Sequence, residues 1–238
     1  MQRYLPFFML FFRIVMFAVV QLIIALILYI FKDQYPFYNS QSYWILFVSI
    51  TNLLNLFILI KLYKLEGKNF FKSIWFIRNG WWKDLLITIG LLLILIPFAI
   101  FPNMVLSILL FGTKEYGNEL LIRHIPVWAI ILGFIWPLTH PLVELPTYFS
   151  YCMPRLEKLL ANSWMAWIIA SVALALQHIT LPLIFDFKYI SWRFLMYLLF
   201  ALLIGLFIKL RPRLLPYFAI IHGLIDLQVV IIFLSLKQ

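Results

Sequence analysis

The chain has 238 residues, 65% of them hydrophobic and only 12% charged, with a formal net charge of +10 and a mean hydropathy of +1.02. A soluble domain is about 45–50% apolar and needs polar cover for its surface. The composition therefore excludes a soluble enzyme, a nucleic-acid reader and a disordered regulator. Lipid is the solvent, and the Lys and Arg excess belongs to loops facing anionic headgroups.

Arg3 precedes an apolar run from Leu5 to Phe31. That run is longer than the roughly 7–15 apolar residues of a signal peptide and has no small-residue cleavage site, so it reads as a retained membrane segment. Arg13 lies within it. Either residues 4–12 lie along the interface and the span starts near Ile14, or Arg13 snorkels to the headgroups. A spanning helix takes about 20 mostly apolar residues, and seven segments qualify: about 13–31, 43–60, 85–111, 126–152, 164–185, 192–208 and 214–235. The third is broken by Pro97 and Pro102, and the fourth carries Pro137, Pro141 and Pro146. Continuous apolar runs rather than alternating strands of about 10 residues argue against a β-barrel. The expected fold is all-α: a polytopic membrane bundle of about seven transmembrane helices in one integrated domain. Residues 1–125 supply N-terminal helices and 126–238 the core.

The segment from Lys61 to Lys83 also holds Lys64, Lys68, Lys72 and Arg78, which marks it as cytoplasmic. With that choice, 13 of the 19 Lys and Arg fall inside and 6 outside. The inside set includes Arg3, Arg13, Arg155, Lys158, Lys209, Arg211 and Arg213. The outside set is Lys32, Lys114, Arg123, Lys188, Arg193 and Lys237. The N-terminus is then cytoplasmic and the C-terminus outside. Phe70, Phe71, Trp75, Phe76, Trp81 and Trp82 interleave with the lysines of 61–83, the pattern of an interfacial helix.

Ionisable groups inside spans are costly and face the protein interior or a wet cavity. His140 and Glu144 lie in the fourth span, His178 beside Gln177 in the fifth, and His222 with Asp226 in the seventh. His140, Glu144, Tyr148 and Tyr151 form one stripe if that helix is regular, and His222 and Asp226 are one turn apart. A carboxylate beside imidazoles can take a proton from water and stabilise an oxyanion, which is the chemistry of peptide hydrolysis. No Ser lies in a nucleophile-elbow motif. The single cysteine, Cys152, excludes a disulfide framework and reads as a packing residue. His140, Glu144, His178 and His222 also offer enough donors for a metal, although the H-E-x-x-H pattern is absent.

Residues about 137–230 resemble the CPBP family, the membrane-embedded CAAX proteases and bacteriocin-processing proteins also called Abi. The family's Glu-Glu-x-x-x-Arg motif with its later Pro-Arg-Leu aligns with Glu144 through Pro154-Arg155-Leu156. Its Phe-x-x-x-His motif aligns with Leu174 to His178, and its His-x-x-x-Asn/Asp motif with His222 to Asp226. The resemblance implies a CAAX prenyl protease type II-like core and an intramembrane glutamate endopeptidase that needs no metal or other cofactor. Glu144 would be the base for water, and His178 would help place that water. His222 with Asp226 would stabilise the oxyanion, and His140 and Tyr148 would be accessory. The partners would be the lipid bilayer and a peptide or membrane-protein substrate, with no nucleic acid. Leu145 and Phe149 stand where the family carries its second Glu and its Arg. That leaves open a non-catalytic scaffold or bacteriocin-immunity role on the same fold. A proton-coupled permease is a further alternative, without the inverted repeats common in such proteins.

Overall fold

A computed structural model describes residues 3–75, 79–114, 116 and 125–235. All regular elements among them are helical. They are α1 (Leu5–Ile30), α2 (Pro36–Ser40), α3 (Trp44–Leu65), α4 (Phe70–Ile74), α5 (Trp81–Phe111), α6 (Val127–Gly133), α7 (Ile135–Leu145), α8 (Met153–Leu160), α9 (Ser163–Leu176), α10 (Phe187–Leu210) and α11 (Leu215–Ser235). A π-helical stretch, Pro146–Cys152, joins α7 to α8, and a 3-10 turn, Gln177–Ile179, ends α9.

Among the described residues, five helices are long and apolar enough to cross a membrane, and a sixth crossing forms if α6 and Ile135–Leu160, bent by 41°, count together. The chain is thus an all-α multi-pass membrane protein. The segment expected to span 164–185 is shorter: Ser163–Ile179 is a 10–17-residue class helix rather than a full-length one. It stops where the 3-10 turn runs into the Thr180–Pro182 turn, and Pro182 brings no backbone donor to continue a helix. In the third span, α5 continues through Pro97 and Pro102 where a break was expected.

Local chemistry fixes several ends. Asn162 caps α9 by accepting from Trp164 and Met165 N–H, and Asp186 caps α10 by accepting from Tyr189 N–H. Gly112 takes the left-handed conformation (φ 75°) that terminates α5. The basic aromatic segment is divided between the end of α3, the five-residue α4 and the start of α5; Phe70 of α4 is buried against Tyr63 while Phe71 is 45% exposed. It is not one interfacial helix, because two of its lysines finish α3 and its tryptophans at 81 and 82 begin α5. Phe76, Arg78, Arg123 and Lys237 lie outside the described residues.

Without a hydrophobic drive between helices in lipid, close packing of small residues brings helices together. Ala166, Ala170 and Ala173 of α9 and Ala201 and Gly205 of α10 are such positions. A Cβ at Gly205 would meet the Ser171 hydroxyl at 2.5 Å and the Phe149 ring at 2.7 Å. A second cluster packs Phe17 of α1, Phe47 of α3, Trp136 of α7 and Phe233 of α11.

Arg13 departs from both expectations. It is fully buried within an unbroken α1, neither at the start of a span nor snorkelling. Its Nε and Nη1 donate to Gln177 and Asn52, so it is drawn inward. Arg193 is likewise a buried residue of α10 rather than a loop charge. One charge leaves each side of the orientation tally.

Candidate functional site

Three helical segments, α7, the 3-10 turn after α9 and α11, meet at Glu144, near the end of α7. Its Oε2 lies 3.1 Å from His140 Nε2, one turn back on the same helix, and 3.1 Å from His222 Nδ1 on α11. Its Oε1 accepts from Gln177 Nε2 at 2.5 Å and lies 3.9 Å from His178 Nε2. The side chains of Glu144 and His140 are 4% and 7% exposed, whereas that of His222 is 29% exposed, making it the most open ring of the cluster.

Backbone geometry places each group. The π-helical stretch after Leu145 widens the helix directly beside the site, a position such bulges often occupy. His178 sits on the 3-10 turn, where its Nδ1 lies 3.1 Å from the Leu174 carbonyl and 3.2 Å from that of Ala175. With the hydrogen on Nδ1 for these acceptors, Nε2 is left as an acceptor facing Glu144. The ring stacks on Tyr197 at 3.7 Å. On α10, Arg193 donates to the carbonyls of His178 and Leu181, at 3.3 Å and 2.5 Å, and holds the turn in place.

Asp226 sits closer to His140 than to His222. Its Oδ2 is 3.0 Å from His140 Nδ1, while Oδ1 is 3.7 Å from His222 Nε2. The Trp136 indole N–H donates to the same His140 Nδ1. One ring nitrogen cannot both accept from Trp136 and donate to Asp226. With Trp136 as donor, the His140 hydrogen is on Nε2, facing Glu144. Neither His140 Nε2 nor Asp226 Oδ2 then has a well-aligned hydrogen-bond partner, and both are buried. A water or a substrate group could satisfy each of them; a cation would need His140 Nε2 without its hydrogen. Single donor atoms of His140, Glu144 and His222 lie within 4.8 Å of one another, a two-His, one-Glu set that fits a divalent cation.

These five residues line a cavity of about 560 Å³ between α5, α10 and α11, within the size range of small-ligand pockets. The rest of its wall is largely apolar, with Leu92 and Ile96 supplied by α5 and Ile225 and Val229 by α11.

Thus the structure gathers Glu144, His140, His178, His222 and Asp226. Tyr148 reaches the cluster at one remove: its hydroxyl donates to Gln177 Oε1 at 3.2 Å. Leu145 and Phe149 are 2% and 3% exposed and pack into the apolar core. Arg13, Asn52, Gln177 and Arg193 were missed as parts of the site. Each is a polar residue within an apolar run, the signal that singled out the histidines. No protein-family model, curated protein or solved structure matches the chain.

Proposed function

We propose that this chain is an integral membrane endopeptidase of the CPBP type, hydrolysing a peptide bond of a membrane-associated or peptide substrate with water activated by Glu144. The observation that carries the reading is a buried carboxylate ringed by three imidazoles on the wall of a cavity among membrane helices. Water is drawn to the 3.9 Å gap between Glu144 Oε1 and His178 Nε2, since both atoms accept hydrogen bonds. Its oxygen attacks the scissile carbonyl carbon as its proton passes to Glu144. The carbonyl electron pair moves to oxygen, and the oxyanion is held by the N–H of His222, the ring most open to the cavity. Glu144 then returns the proton to the leaving nitrogen as the C–N bond breaks, giving a carboxylic acid and an amine. Asp226, whose Oδ1 faces His222 Nε2 at 3.7 Å, orients that ring. No step requires a metal.

Counting α6 to α8 as one crossing and the short α9 as another gives seven, with the N-terminus in the cytoplasm and the C-terminus outside. The lysines of 61–83 support that orientation. A second reading, a non-catalytic scaffold or bacteriocin-immunity protein on the same fold, is favoured by one observation: the apolar, buried Leu145 and Phe149.

The test is cleavage of a mixed library of tagged peptides by the protein in proteoliposomes, with and without chelator. Cleavage that survives chelator is expected. Cleavage lost on chelation would assign the water to a cation on His140, Glu144 and His222. No cleavage by a folded protein would favour the scaffold.

A further inference from the structure

We propose that Arg13 and Gln177 form a positioning relay for Glu144. Arg13 holds the Gln177 amide in the one orientation that turns its NH2 onto Glu144 Oε1. The inference rests on Glu144 being the working carboxylate of the reading above, but it concerns two residues outside the reacting set.

The two ends of an amide side chain look alike, and neighbours decide which way it points. Here they agree. Arg13 Nε donates to Gln177 Oε1 at 2.6 Å, and the Tyr148 hydroxyl donates to the same oxygen at 3.2 Å. A guanidinium has no acceptor, so it accepts only the oxygen end of the amide. The nitrogen end then faces Glu144 Oε1 at 2.5 Å. Reversing the amide would oppose N–H to N–H at Arg13 and oxygen to oxygen at Glu144.

Arg13 is itself held. Its Nη1 donates to Asn52 Oδ1 at 2.8 Å, Asn52 Nδ2 donates to Thr139 Oγ1 at 3.1 Å, and the guanidinium lies 5.1 Å from the centre of the Phe17 ring. Thr139 directly precedes His140. The relay therefore ties α1 and α3 to both sides of the site.

A structural brace alone would not need a charge. Asn55 and Thr147 already link α3 to the π-helical stretch at 2.7 Å with neutral groups. A fully buried cation in a membrane helix is costly unless a negative charge answers it. Among the described residues no carboxylate lies within ion-pair distance of Arg13, and its hydrogen-bonded path to one runs through Gln177 to Glu144. With Oε1 held by the amide, Oε2 is left to the two histidines.

The test reads the coupling of Arg13 and Gln177 to Glu144 by thermal unfolding of detergent-purified full-length protein. Glu144→Gln should raise the Tm of Arg13→Gln and of Gln177→Met more than that of wild type, because it removes the carboxylate left unanswered. Arg13→Lys, which keeps the charge, should respond to Glu144→Gln as wild type does. Equal Tm effects of Glu144→Gln in all backgrounds would overturn the relay, and so would an Arg13→Lys protein that responds as Arg13→Gln does. If neither Arg13→Gln nor Gln177→Met folds, recovery of either fold by Glu144→Gln supports the relay, and failure to recover counts against it. Because no catalysis is read, absent hydrolysis with the expected Tm coupling would sink the proposed function and leave the relay standing.

Discussion

Gly223 of α11 packs directly on the Pro141 ring of α7, so closely that a Cβ at Gly223 would collide with that ring and come within 3.0 Å of the Pro137 carbonyl oxygen. His222 is the next residue back, and Pro141 follows His140. This contact is what lets His222 approach the Glu144 carboxylate.

Gly223→Ala should therefore force α11 away from α7. Overpacking of this kind costs about 1–3 kcal/mol, read as a fall in Tm. Hydrolysis should fall further than stability, because the His222–Glu144 distance sits directly on the displaced contact. Full activity in a destabilised variant would argue against this geometry.

Arg193→Met should destabilise the protein by about 2–4 kcal/mol, since it leaves the carbonyls of His178 and Leu181 without their charged donor. Arg193→Lys should recover little of it, because a single ammonium does not reproduce the guanidinium fork. Denaturant or thermal unfolding of the two variants checks the difference.

At the other end of the cavity helices, Asp84 lies in the first turn of α5, 1% exposed. It accepts from Arg211 at 2.9 Å and 2.6 Å, and Arg213 lies 2.9 Å away. It thereby fastens α5 to the turn before α11. Asp84→Asn should cost about 1–2 kcal/mol, the smaller range applying because both arginines are partly solvated. The loss should shrink at high salt, where the exposed partners are screened. A salt-independent loss would mean that packing, not charge, holds the joint.

Glu66, just past α3, answers to pH. Partial burial opposes its ionisation, but bonds from Arg155 at 2.6 Å and 2.5 Å and from Lys68 at 3.0 Å outweigh that and hold its carboxyl below the usual carboxylate range. A lowered folded-state value stabilises the fold above the unfolded value, about 4.3 for Glu, and the gain is lost as pH falls through the folded one. The stability gap between wild type and Glu66→Gln should be open at neutral pH, at about 1 kcal/mol or less because the pair is still partly reached by solvent. It should close below about pH 4. A gap that widens on acidification would reverse the assignment.

Much of the fold is legible in composition alone, because a 20-residue apolar run has few alternatives to helix in lipid. What the runs do not disclose is how helices end and bend. The short α9, the bend between Gly133 and Ile135, and the passage of α5 through two prolines depend on neighbours rather than on local hydropathy. The ionisable residues of the site stand out because each is expensive in a span. Arg13 met the same criterion, yet a cation near the end of a run has a cheap alternative in snorkelling. Only the three-dimensional placement of Asn52 and Gln177 shows that it turns inward. The closer approach of Asp226 to His140 than to His222 was equally out of reach, since His-x-x-x-Asp spacing favours the intrahelical partner.

The most direct test of Glu144 as the base is a matched comparison of wild type and Glu144→Gln on the same tagged peptide library, with folding of both verified by thermal unfolding. Cleavage by wild type that vanishes in a folded Glu144→Gln protein is the predicted result. Equal cleavage by the two would contradict it and remove Glu144 from the chemistry.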